Sequence, residues 1–140
     1  MAAIVEPLGA ARNRRFGATL LTDYLGDPLP IAGATAIMEV RLYPGAAGAA
    51  LASDASVTMV DEGQIGTMVD PADGVSKPLR RLRLEPSIPM EAIRDLPGQN
   101  APEAGDPQSF SYEVLIEYAD GLRDPLWLGD FIVEAGVVAP

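Results

Sequence analysis

Histidine and cysteine are both absent from these 140 residues. Without histidine the chain has no side chain that titrates near neutral pH when unperturbed. It also has no Ser-His or Cys-His nucleophile pair, and it lacks the commonest metal ligand. Without cysteine it builds neither a disulfide framework nor a thiolate zinc site. Aromatic residues make up 6%, with a single tryptophan, Trp127, and lysine occurs once, at Lys77. Cations are scarce as well: ten Lys and Arg against twenty Asp and Glu give a formal net charge of −10 and a pI near 4.2. A surface this acidic repels phosphate backbones and anionic lipid headgroups, so neither nucleic acid nor a membrane is an expected partner. No apolar run approaches the ~20 residues of a membrane helix. The stretch from Met1 to Phe16 lacks the continuous apolar region of a signal peptide. The expectation is synthesis in a cytoplasm and residence there until a partner is met.

What is present is one domain's length of chain, 48% hydrophobic with a mean hydropathy of +0.13, enough to build a real core. The clearest pattern lies between Ser109 and Ala135. Phe110, Tyr112, Val114, Ile116 and Tyr118 occupy every second position, the period of a half-buried strand. Asp120-Gly121 is suited to the positive φ angles of a tight turn. Beyond it, Leu126 to Leu128 and Phe131 to Val133 supply the return strand of a long hairpin.

Upstream, Met1 to Asn13 has little periodicity and reads as an extended N-terminal arm ending in the cluster Arg12, Arg14 and Arg15. Guanidinium groups fork carboxylates well, so these arginines are candidates for docking on an acidic neighbouring subunit. Alternation predicts strands over Arg15 to Tyr24, Ala34 to Tyr43, Ala55 to Val60, Gln64 to Val69 and Leu79 to Glu85. Asp61-Glu62-Gly63 reads as the turn of a compact hairpin between the third and fourth of these. Ser87 is a candidate cap for one short helical turn through Met90 to Ile93, with Pro89 tolerated in its first turn. Pro97 to Gln108 reads as an exposed loop rich in Pro, Gly and acids. The predicted fold is all-β: an antiparallel immunoglobulin-like β-sandwich of about seven strands over residues 14–140, preceded by the arm. Its edge strands would invite pairing.

Chemistry is sparse. The carboxylates Asp61, Glu62, Asp70, Asp73, Asp120 and Asp124 fall at turns, where aspartate is favoured for local hydrogen bonding. None matches EF-hand spacing, and no glycine-rich loop precedes a Lys-Ser/Thr pair. Ser76-Lys77 lies in a loop ahead of Pro78, where a desolvated nucleophile pair is not expected. No catalytic residue, cofactor or metal is expected. Trp127 is either a core anchor or an exposed platform for a partner or sugar.

Several segments in this order resemble one family. They are Gly26 to Pro30 with Ala32-Gly33-Ala34, Met38 to Leu42, Val57 to Val60 with Gly63 to Gly66, and Phe110 to Val114. Ala119-Asp120-Gly121 and Leu128 to Phe131 follow. Together they are similar to the immunoglobulin-like domain at the N-terminus of phage upper-baseplate proteins and to small phage tail proteins. The resemblance spans Phe16 to Val138, and Pro97 to Gln108 is longer than the family's usual connection. It implies a non-enzymatic virion component, made in the host cytoplasm, whose copies bind one another and other virion structural proteins. The chain ends where family members often continue into a fibre part, which implies an adaptor in the tail or baseplate. Head decoration, fibre anchoring, or recognition of a host-surface glycan or calcium are the alternatives.

Overall fold

The structure, a computed structural model, describes every residue except Met1, Gln99 and Ala101. Strands hold 53% of the described residues and helix 4%, so the fold is all-β. The arm carries β1 (Ile4–Val5) and β2 (Leu8–Ala11). Then come β3 (Phe16–Gly17), β4 (Leu20–Leu25), β5 (Thr35–Arg41), β6 (Ala52–Val69), β7 (Ser76–Glu85) and β8 (Ser87–Ile88). The helix α1 (Met90–Arg94) precedes β9 (Gln108–Glu117) and β10 (Arg123–Glu134). One hydrogen-bonded path runs β1-β10-β9-β5-β6-β7-β4, with β2 also on β10, and β3 and β8 form a separate two-stranded ribbon. The path rolls into a nearly closed barrel. Trp127 on β10 and Thr22 on β4, near its two ends, meet in a hydrogen bond of 2.9 Å.

Alternation sends the expected residues inward. Leu20, Thr22 and Tyr24, then Ala36, Met38 and Val40, then Leu82 and Leu84, and finally Phe110, Tyr112, Val114 and Ile116 are all buried. The hairpin of β9 and β10 forms as expected, with Gly121 at φ 87° and the Leu122 amide donating to Asp120 Oδ1. A register shift between Pro125 and Trp127 inserts an extra residue, so that Leu126 and Trp127 are buried side by side.

Three expectations change. The predicted hairpin turn at Asp61-Glu62-Gly63 does not reverse the chain, and β6 runs unbroken for 18 residues. Register shifts fall there instead, Gly63 takes φ 72°, and its amide bonds Asp61 Oδ1 at 2.8 Å. A glycine in the left-handed region serves a bulge as well as a turn, and the partner strand β7 decides between them. Ser87 is not the helix cap. It sits in β8, and Pro89 occupies the capping position in extended conformation without a side-chain cap. Finally, the arm, read as an extended segment with little periodicity, is built into the sheet: β1 and β2 pair parallel to β10 in one constant register. Pro7, which has no N–H, marks the gap between them. Residues 99 and 101 of the expected Pro97–Gln108 loop lie outside the described residues.

Gly129 makes the crossing of the arm possible. The Glu6 carbonyl lies over it and accepts from Tyr112 Oη at 2.6 Å, while the Glu6 amide donates to Leu128 O. A Cβ on Gly129 would sit 2.5 Å from that carbonyl, at a φ of 151°. Gly129→Ala is therefore expected to push the Glu6 segment off β10 and cost about 1–3 kcal/mol. Hydrogen exchange at Ile4, Val5 and Glu6 reads it. Unchanged protection there would contradict this account of the crossing.

Candidate interaction surfaces

The three clustered arginines part company in the fold. The Arg12 amide donates to Glu134 O, continuing the β2–β10 ladder, and this turns its side chain inward. Arg12 is 6% exposed, and its guanidinium donates to the carbonyl of Arg94, the last residue of α1, and to those of Leu96 and Pro97 just past it. A cation bridging the last carbonyls of a helix is a known stop. Burial lowers the Arg12 pKa, yet the group stays charged. Arg14 and Arg15, by contrast, are exposed at the corner between β2 and β3. Arg14 bonds Asn13 Oδ1, and the Arg15 guanidinium rests over Gly17.

Arg14 and Arg15 are set apart by what the other cations hold. Arg41, Lys77, Arg81, Arg83, Arg94 and Arg123 each contact a carboxylate. Arg12 and Arg80 hold carbonyls. Among the described residues, Arg14 and Arg15 alone form no ion pair and no bond to a main-chain carbonyl. An open cleft of about 530 Å³ runs beside Arg15 past Gly17, Thr58, Glu85 and Ser87. Sequence spacing lumps Arg12 with its neighbours, since only strand register reveals that it points inward.

Trp127 is also spent inside. It is 8% exposed, and its indole N–H donates to the buried Thr22 hydroxyl. It is a core anchor, and its ring offers no platform to a partner.

The outer face of β5, β9 and β10 forms an open cleft of about 470 Å³, which sequence reasoning missed. Strand register sets Arg41 beside Ser111 and Asp130, and Glu39 beside Glu113 and Leu128. Glu39 and Glu113 are like charges in direct cross-strand register, an unfavourable pair. Arg41 offsets this by binding Glu39 at 2.9 Å, and its other bonds, to the carbonyls of Ala46 and Gly48, fix the small-residue loop. Among the described residues, no three His, Cys, Asp or Glu side chains are placed to hold a metal ion.

Most of the carboxylates expected at turns, and Asp54, make local bonds to their own backbone. Asp54, Asp61, Asp70, Asp73 and Asp120 each accept the amide two residues on. Asp70 and Asp73 also clasp Lys77 Nζ at 2.6 and 2.9 Å. The clasp pushes Lys77 up to about 12 and holds both aspartates below the usual carboxylate range. Lys77 is therefore no partner for Ser76.

Two tyrosines are held protonated far into alkali. Burial raises Tyr112 to about 12, with Glu6 adding to it. Burial raises Tyr118 to about 12, and its hydrogen bond to Asp124 adds to that. The unfolded chain releases these protons at about pH 10 and the folded chain only near 12. Stability is therefore flat as pH approaches 10 and is lost as pH rises from 10 to 12, with Lys77 acting in the same direction. Thermal midpoints across that range test this, and a midpoint unchanged to pH 12 would contradict it.

Comparison with protein-family models matches none, and comparison with the curated proteins returns no match either.

Proposed function

We propose that the rolled sheet is an immunoglobulin-like sandwich and that the protein is a non-enzymatic structural component of a phage or phage-like virion. In this reading it is an adaptor in the tail or baseplate that docks a stiff scaffold onto neighbouring subunits. The strand path supports the sandwich. β4-β7-β6 follows the B-E-D order of such domains and β5-β9-β10 the C-F-G order. β6 serves both layers, its first part on β5 and its remainder on β7.

The docking role rests on one observation. In a chain of net charge −10, Arg14 and Arg15 stand exposed on a corner whose neighbour Arg12 is anchored in the body. Two guanidinium groups with no carboxylate of their own break no ion pair on meeting a partner's carboxylates. The expected neighbours are virion proteins with acidic surfaces, further copies of this chain included.

Particles complemented with an Arg14→Ser/Arg15→Ser chain test the corner. The purified variant is expected to keep the wild-type melting midpoint, because both side chains are exposed. It is expected to be depleted from particles, more so at high salt. Incorporation at the wild-type level would overturn the corner as the docking site. Unaltered morphology and infectivity of particles lacking the protein would overturn the structural role.

A further inference from the structure

Beyond Val57, β6 leaves β5 behind. Its next residues, Thr58 to Val69, pair with β7 on one side, and among the described residues no strand pairs the other. Twelve residues of strand make an open edge about 40 Å long. β4 covers β7 only from Leu79 to Leu84, so the end of the hairpin projects as a ribbon without a third strand. A two-stranded ribbon of this kind is marginal alone in water.

The ribbon differs in charge from everything around it. Residues 58–85, the paired hairpin, contain five acids, Asp61, Glu62, Asp70, Asp73 and Glu85, and four bases, Lys77, Arg80, Arg81 and Arg83. All but one of the ten net negative charges thus lie on the rest of the chain, where fifteen acids face six bases. The net charge of the rest of the chain opposes contact between copies, and this hairpin adds little to that repulsion. Its tip is also apolar: Ile65, Met68, Val69 and Val75 are 42 to 57% exposed. The segment Gly63 to Val69 has neither charge nor proline, the composition that pairs readily when left on an edge.

We propose that this edge is a self-association site, at which β6 pairs antiparallel with β6 of a second copy across a two-fold axis near Thr67. The backbone gives the centre of the pairing. Thr67 sits opposite Pro78, whose carbonyl accepts from the Gly26 amide at 3.0 Å and so faces away from β6. Thr67 is then in a non-hydrogen-bonded position toward β7, and its own N–H and C=O point to the open edge. A symmetric pairing there sets Ile65 against Val69 of the second copy and excludes like charges from the centre. A two-fold contact of this kind closes on itself and uses up the β6 edge of both copies. It stands on the hairpin's geometry and charge, and does not depend on the virion reading.

Sedimentation of the full chain from micromolar to millimolar concentration tests it, alongside Thr67→Pro. That substitution removes the outward N–H and spares the β6–β7 ladder. The wild type is expected to pass from monomer to a discrete dimer. In the dimer alone, the Thr67 amide should be protected from exchange. Thr67→Pro is expected to weaken association at least about tenfold at an unchanged low-concentration melting midpoint. Ile65→Lys, which changes no backbone group, should do the same and serves if the proline variant fails to fold. A wild type that stays monomeric throughout, open-ended aggregates, or a dimer indifferent to both substitutions would overturn the proposal. So would a monomer that uses the same edge only for a different virion protein.

Discussion

Phe131→Ala is expected to destabilise the fold by about 3–5 kcal/mol, a third or more of the roughly 5–15 kcal/mol available to a domain of this size. Phe131 is fully buried at the place where β10, the arm and the β3–β8 ribbon converge. Its ring meets Phe16 edge-on, with centroids 5.1 Å apart at 70°, and Tyr112 at 6.4 Å and 61°. Removing it costs the transfer energy of the ring, two aromatic contacts and a cavity that three different strands would have to close. β3 is held by only two residue pairs with β8, so it depends on this packing. Urea unfolding with an unchanged slope is the measurement, and a loss below about 1 kcal/mol would mean the site collapses without cost.

Arg12→Met should come next, at about 2–4 kcal/mol, from the loss of charge-assisted bonds to partly buried carbonyls. Methionine keeps the volume of the stem, so the effect isolates the guanidinium. Arg94 O, Leu96 O and Pro97 O lose their donor together, and the connection after α1 loses its tie to the arm. Lysine in this place recovers only part of the stability, since one ammonium does not span three carbonyls set for a planar fork. The control is Arg14→Met, two residues away and exposed, which is expected to change stability by no more than about 0.5 kcal/mol. Equal effects at Arg12 and Arg14 would contradict the division between an anchoring and a free arginine.

These two residues also mark how far the sequence could be read. Phe131 lies in an apolar run, and in β9 the alternation of Phe110, Tyr112, Val114 and Ile116 identified the buried face directly. Such patterns are local, and side-chain period follows from backbone pleat. Arg12 was invisible because its environment is made by residues more than eighty positions away. The arm strands escaped for a similar reason: β1 and β2 are held by main-chain pairing to β10, which asks little of side chains. Asp61-Glu62-Gly63 carries turn chemistry that a bulge uses equally well, and only the length of β7 opposite makes it a bulge. The open edge of β6 follows from β5 pairing with it only as far as Val57, a long-range limit that no local pattern carries. The outer cleft with Glu39 and Glu113 needed strand register, because two glutamates in distant segments carry no sign of facing one another.

We propose that this polypeptide acts by shape, as a fixed part of a particle. A mass-spectrometric inventory of purified particles, with absolute copy number, tests it most directly. The chain is expected in the particle at a constant stoichiometry that matches the symmetry of its neighbours. Its absence from intact particles, or a variable trace amount that washes away with salt, would contradict the claim.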